Sequence, residues 1–110
     1  MAADSTRVFT MDQLLAEQRT AGDPWHEFLR VQTLRTGLYV LPAGAWDSQT
    51  PHDEDEVYHV VGGRATFQAG SDRWPVGPGS IIYVPARQEH RFSDIVEELT
   101  VIVMFAARRA

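Results

Sequence analysis

Cysteine and lysine are both missing from the 110 residues, and no apolar run is long enough to cross a bilayer. Without cysteine there is no disulfide and no thiolate for a metal. Any metal must therefore be held by nitrogen and oxygen, and a reducing compartment is compatible with the composition. A spanning helix needs about 20 consecutive apolar residues, and the opening Met-Ala-Ala-Asp-Ser-Thr-Arg lacks the apolar core of a signal peptide. A cytoplasmic protein with no membrane partner is expected. All ten basic residues are arginines, set against fifteen acids for a net charge of −5, and they are scattered apart from Arg108-Arg109. Nucleic acid is not an expected partner, because binding it needs a concentrated basic face.

What is present suits one domain. A chain of 110 residues buries roughly two thirds of its unfolded surface, enough for one core without covalent staples. Internal repeats and low-complexity tracts do not appear. Thr10 and Gln13 have the spacing of a capping box, Leu14 and Leu15 supply an apolar side, and Gly22 and Pro24 are stop signals, which predicts a helix over 11–20. Strands are predicted at 28–34, 37–41, 56–61, 64–69, 80–84, 90–93 and 97–105. Turn signals separate them at Thr36-Gly37, Pro42 to Gly44, Gly62-Gly63, Gly70 to Asp72 and Gly77 to Gly79. The chain thus reads as an N-terminal extension, 1–27, carrying the helix, and an all-β unit, 28–110.

Residues 49–63 read Gln-Thr-Pro-His-Asp-Glu-Asp-Glu-Val-Tyr-His-Val-Val-Gly-Gly, and 79–90 read Gly-Ser-Ile-Ile-Tyr-Val-Pro-Ala-Arg-Gln-Glu-His. Together they resemble the paired motifs of the cupin family. The first motif is a Gly, five residues, His-x-His, three or four residues, Glu, six residues and Gly; Gly44, His52, Glu56 and Gly63 fall on or near its marks. The second is a Gly, five residues, Pro-x-Gly, two residues, His, three residues and Asn; Gly79, Pro85 and His90 are in register, with Arg87 in place of the second Gly and Asp94 in place of the Asn. The resemblance covers roughly residues 37–105. It implies a cupin-type jelly-roll β-barrel of two antiparallel sheets with a divalent metal ion in its mouth.

Thr50 stands where the first motif histidine belongs, and a threonine hydroxyl is a poor donor to a divalent cation. The resemblance therefore leaves His52, Glu56 and His90 as metal ligands, a facial set with open positions that suits Fe, Mn, Zn or Ni. Gln49 is a candidate fourth ligand if Pro51 bends the chain. Strand alternation puts Glu56, Tyr58 and Val60 on one face and His59 on the other, so His59 is expected outside. His90 and Phe92 share a face, which makes Tyr58 and Phe92 the expected pocket wall. Asp53-Glu54-Asp55 reads as an exposed turn between two consecutive strands that bring His52 to Glu56. Tyr39, Trp46, Phe67 and Tyr83 are expected in the core.

Families of this kind include dioxygenases, isomerases, epimerases and lyases. The resemblance thus implies a metal-dependent enzyme acting on a small-molecule substrate without selecting the reaction, oxygenase, isomerase or lyase. Two alternatives stand beside it: a non-catalytic ligand-binding or sensing protein that uses the same pocket, and a metal-free structural protein. The run 99–105 is apolar on both faces, so its outer face needs a cover, either the N-terminal segment or a second subunit. A homodimer is expected, as in many cupins.

Overall fold

Thr10 and Gly22 delimit the helix as predicted. In the computed structural model, which describes residues 5–106, α1 runs Met11–Ala21; the Thr10 hydroxyl accepts the Gln13 amide at 3.2 Å, and Gly22, in left-handed backbone, donates to the Gln18 carbonyl. Arg108-Arg109 lie outside the described residues. Six strands follow the helix: β1 (Trp25–Val31), β2 (Leu34–Leu41), β3 (Glu56–Ala69), β4 (Asp72–Val76), β5 (Ile81–Val84) and β6 (His90–Ala106).

The strands form one antiparallel sheet in the order β1-β2-β6-β3-β4, and β5 also pairs with β3. Because β6 follows β3 along nearly its whole length, β4 and β5 share the other edge of β3. Inward side chains from five strands, among them Leu41, Phe67, Val76, Val84 and Val103, meet in one buried cluster. The sheet therefore curls around its own core. This is the expected all-β jelly roll with a short N-terminal helix, although among the described residues no ladder joins β1 to β4 to close the barrel.

Two predicted breaks are absent. The chain runs through Gly62-Gly63 and through residue 94 as irregularities inside long strands. Gly63 and Asp94 both have left-handed backbone, at φ 88° and φ 49°, and each reverses the alternation of its strand. Glu56, Tyr58 and Val60 face inward before Gly63, whereas Ala65 and Phe67 do so after it; His90 and Phe92 face inward before Asp94, whereas Ile95, Leu99 and Val101 do so after it. A side chain at Gly63 would run into the Glu98 carbonyl, so only glycine fits there.

Other boundaries move for packing reasons. Gly37 lies inside β2 and not at a turn, because the Trp25 indole occupies the place of its missing side chain. β4 is an extra strand that tolerates Pro75 because it is an edge. Residues 42–55 contain no strand, so His52 reaches the barrel from an irregular segment. Trp46 and Tyr83 are 72% and 63% exposed and do not join the core. Leu14, 3% exposed, packs with Leu38 and Val40, and Ile102 of β6 borders this cluster. Of the two covers foreseen for β6, the N-terminal segment supplies one. Burying a leucine in this way stabilises by about 1.5–3 kcal/mol. No helix among the described residues is long and apolar enough to cross a membrane.

Candidate functional site

Alternation on β3 turns Glu56 and Tyr58 inward, and β6 begins with His90 facing the same interior. Glu56 Oε1 and His90 Nε2 are 3.0 Å apart, with each side chain only 1% exposed. His90 Nδ1 donates to the Gln88 carbonyl at 2.7 Å, since a carbonyl can only accept. That leaves Nε2 turned toward Glu56 and toward the Tyr58 hydroxyl, 2.9 Å away. Burial pulls the His90 pKa down, but the hydrogen bond to Glu56, the Gln88 carbonyl and the charges of Glu56 and Asp47 outweigh it, and the net shift is upward. Burial first, and then the charge of Glu56, raise the Tyr58 pKa, so its phenol is neutral. Glu56 Oε2 is buried without a hydrogen-bond partner.

The irregular segment 42–55 completes the interior through a residue that the sequence pattern does not mark. Asp47, 2% exposed, accepts the Tyr39 hydroxyl at 2.6 Å, the Gln49 side-chain amide at 2.8 Å and the Phe92 backbone amide at 2.8 Å. Gln49 in turn accepts the Tyr58 hydroxyl at 2.9 Å. A continuous chain thus runs Tyr39, Asp47, Gln49, Tyr58, His90, Glu56. An aspartate among glycine, proline and serine reads as a turn residue, and no strand period ties it to an inward face.

His52 stands apart from the buried pair. Its ring meets Phe105 edge-on at 5.0 Å and its carbonyl accepts the Arg87 amide at 2.6 Å. It lines a cavity of about 400 Å³ with Trp25, Arg35, Tyr39, Gln49 and Tyr58; Thr50 lies on the same wall. Among the described residues, no three His, Cys, Asp or Glu side chains gather as a metal-holding group. Glu56 and His90 are therefore brought together, with Tyr58 and Gln49 between them and the cavity that His52 borders. Phe92 packs behind Tyr58 in the core, ring centroids 5.3 Å apart. His59 faces outward as expected.

The acidic turn is anchored. Glu54 takes Arg35 at 3.0 Å, and Asp55 accepts the Ala86 amide at 2.8 Å. Arg35 also meets Glu27 at 3.3 Å and lies over the Phe105 ring at 4.1 Å, so its charge at the cavity wall is already balanced. A larger cavity, about 560 Å³, opens between β4 and β5 against Phe67, Trp74, Ile81, Tyr83 and Val84. Asp72, Ser80 and Gln88 stand among its apolar residues, whereas the buried Glu56–His90 pair lies behind Tyr58 at the smaller one.

Residues 37–105 match the family model described as a cupin domain. A protein of Streptomyces coelicolor, itself uncharacterised, is 44% identical over 100 residues, spanning 91% of this chain and 95% of that one. Among solved structures, a DMSP lyase of Ruegeria pomeroyi is similar at a TM-score of 0.69 and 19% identity, over 78% of this chain and 48% of the lyase, about half its length. An RmlC-like cupin of Methanocaldococcus jannaschii gives 0.68 at 17% identity, over 76% and 79% of the two chains. A putative mannose-6-phosphate isomerase of Ralstonia eutropha gives 0.62 at 22%, over 74% and 82%. At these identities the structural likenesses show the fold.

Proposed function

This chain belongs to the cupin family, and on that footing we propose that it is a small metal-binding cupin, a metal-dependent enzyme acting on a small organic substrate in the cytoplasm as a homodimer. The observation that carries the reading is the Glu56–His90 pair, set 3.0 Å apart behind the Tyr58 hydroxyl at the wall of a cavity of about 400 Å³.

The donors fit a divalent ion. A histidine whose far nitrogen donates to a backbone carbonyl has the orientation usual for a metal ligand, and His90 has it through Gln88. Glu56 keeps one buried oxygen without a hydrogen-bond partner. Glu56 and His90 would hold the ion, with His52 and Gln49 of the neighbouring cavity as further donors, and such a nitrogen and oxygen set suits Fe, Mn, Zn or Ni. Bound there, the ion would supply Lewis-acid chemistry, or redox chemistry in the case of iron.

The remaining residues bind and orient. Trp25, Tyr39 and Phe105 give apolar walls for the body of a small molecule, while Gln49, His52 and Tyr58 place polar groups at one end. Arg35 is occupied by Glu27 and Glu54, so it holds a wall and leaves no free cation for an anionic substrate. The reaction is of oxygenase, isomerase or lyase type.

Elemental analysis of protein purified without chelator, followed by titration with Zn, Mn and Fe(II), tests the reading. One ion per chain is expected for the wild type and His59→Ala, with binding lost in Glu56→Ala and His90→Ala and weakened in His52→Ala. No bound metal, or equal loss in His59→Ala, counts against it. Binding should weaken as pH falls, since the imidazole must be neutral and the carboxylate ionised; the raised His90 pKa moves that loss toward neutrality. The sealing of the pair, 1% exposed on both sides, favours one second reading, a ligand-binding or sensing cupin without turnover. Stoichiometric metal with no reaction across a panel of chelating substrates would support it.

A further inference from the structure

The hydrogen-bond chain from Asp47 to His90 has a direction, and its consequence rests on the metal-binding reading above. The Phe92 backbone amide can only donate, so Asp47 Oδ2, 2.8 Å away, is an acceptor. Gln49 meets that same oxygen at 2.8 Å and must present its NH2 there. Its amide oxygen is then left for Tyr58 at 2.9 Å. A phenol has one proton, and an amide oxygen can only accept it. What Tyr58 turns toward His90 Nε2, 2.9 Å away, is therefore a lone pair.

We propose that Asp47 and Gln49 are positioning residues that fix the Tyr58 hydroxyl, with its proton on Gln49 and its lone pairs on the Glu56–His90 pair. The phenol oxygen is thereby an oriented acceptor for a positive group held between Glu56 and His90, whether an imidazole N–H or a divalent ion. Without Gln49 the same proton swings inward and meets a cation as a donor. The anchor is the carbonyl-type oxygen of residue 47, pinned by the Phe92 amide, and not its charge.

Neutron diffraction from deuterium-exchanged, metal-free crystals tests the assignment. A deuteron carried on the Tyr58 oxygen and directed to Gln49 Oε1 is expected; a Tyr58 deuteron directed instead to His90 or Glu56 overturns the proposal, whether or not the protein binds metal. Zinc titration of variants gives the second readout. Gln49→Leu and Asp47→Leu are expected to lower zinc affinity at least about ten-fold, in the range seen when groups supporting metal ligands are lost. Asp47→Asn keeps an oxygen on the Phe92 amide and should bind as the wild type does. Should Asp47→Asn bind as weakly as Asp47→Leu at equal melting temperature, the charge of Asp47 is what matters and the assignment fails. A wild type that takes up no zinc overturns the metal-binding reading, and the neutron density still decides this one.

Discussion

Arg87 holds a backbone angle of φ 65° that an arginine side chain does nothing to favour. It occupies the place of a motif glycine, and its amide meets the His52 carbonyl, so the geometry that glycine serves is kept while the residue suited to it is not. Left-handed backbone is strained for a branched or bulky side chain. Arg87→Gly should stabilise the protein by about 0.5–1 kcal/mol, and Arg87→Val should destabilise it by about 1–3 kcal/mol, read from urea midpoints. A loss of stability in Arg87→Gly would show that the arginine side chain contributes more than the strain removes. Asp94, at φ 49° in place of a motif asparagine, is tolerated because a short polar side chain accepts this region. The same scale shows what the sequence reveals about the site. Glu56 and His90 are legible because period two and motif spacing both point them inward. Asp47 is not, because the path of an irregular segment, which no period encodes, brings it against Tyr39, Gln49 and Phe92.

The helix is the element with the least support of its own. Eleven residues are too few for a helix to persist alone in water, so α1 depends on docking Leu14 against Leu38 and Val40. Leu14→Ala should lower stability by about 2–4 kcal/mol. Helical far-UV signal should then fade before the β signal on heating. Simultaneous loss of both would mean that the helix is integral to the barrel's cooperative unit. The helix was legible in full from its capping pair and its terminal glycine. The strands were legible in kind, and their ends were not. Glycine signals a turn in sequence, yet Gly63 serves a bulge and Gly37 makes room for Trp25. These two uses depend on contacts from Glu98 and Trp25, which local sequence does not carry.

At the scale of the whole molecule, three of the exposed large apolar side chains gather around one cavity. Trp74, Ile81 and Tyr83 surround the cavity of about 560 Å³ between β4 and β5, the two strands on the outer edge of β3. Unpaired edges and contiguous apolar surface invite cover. The proposed homodimer should bury this side: sedimentation equilibrium at micromolar concentration should give twice the monomer mass, and Ile81→Glu with Tyr83→Glu should halve it. A single monomeric species in the parent protein would remove the homodimer. A separate consequence comes from β6, which lies between β2 and β3 and pairs Leu34 with Ala106 and Glu56 with Phe105. Among the described residues no earlier strand joins those two partners. During synthesis, the nascent chain therefore leaves the ribosome as two disconnected pieces, β1 with β2 and β3 with β4 and β5, each carrying an open edge. Ladders this distant in sequence form slowly, in about milliseconds to seconds, and the chain is most vulnerable to aggregation before they do. A released chain truncated before His90 would thus leave β2 and β3 without the strand that joins them, each with an open edge.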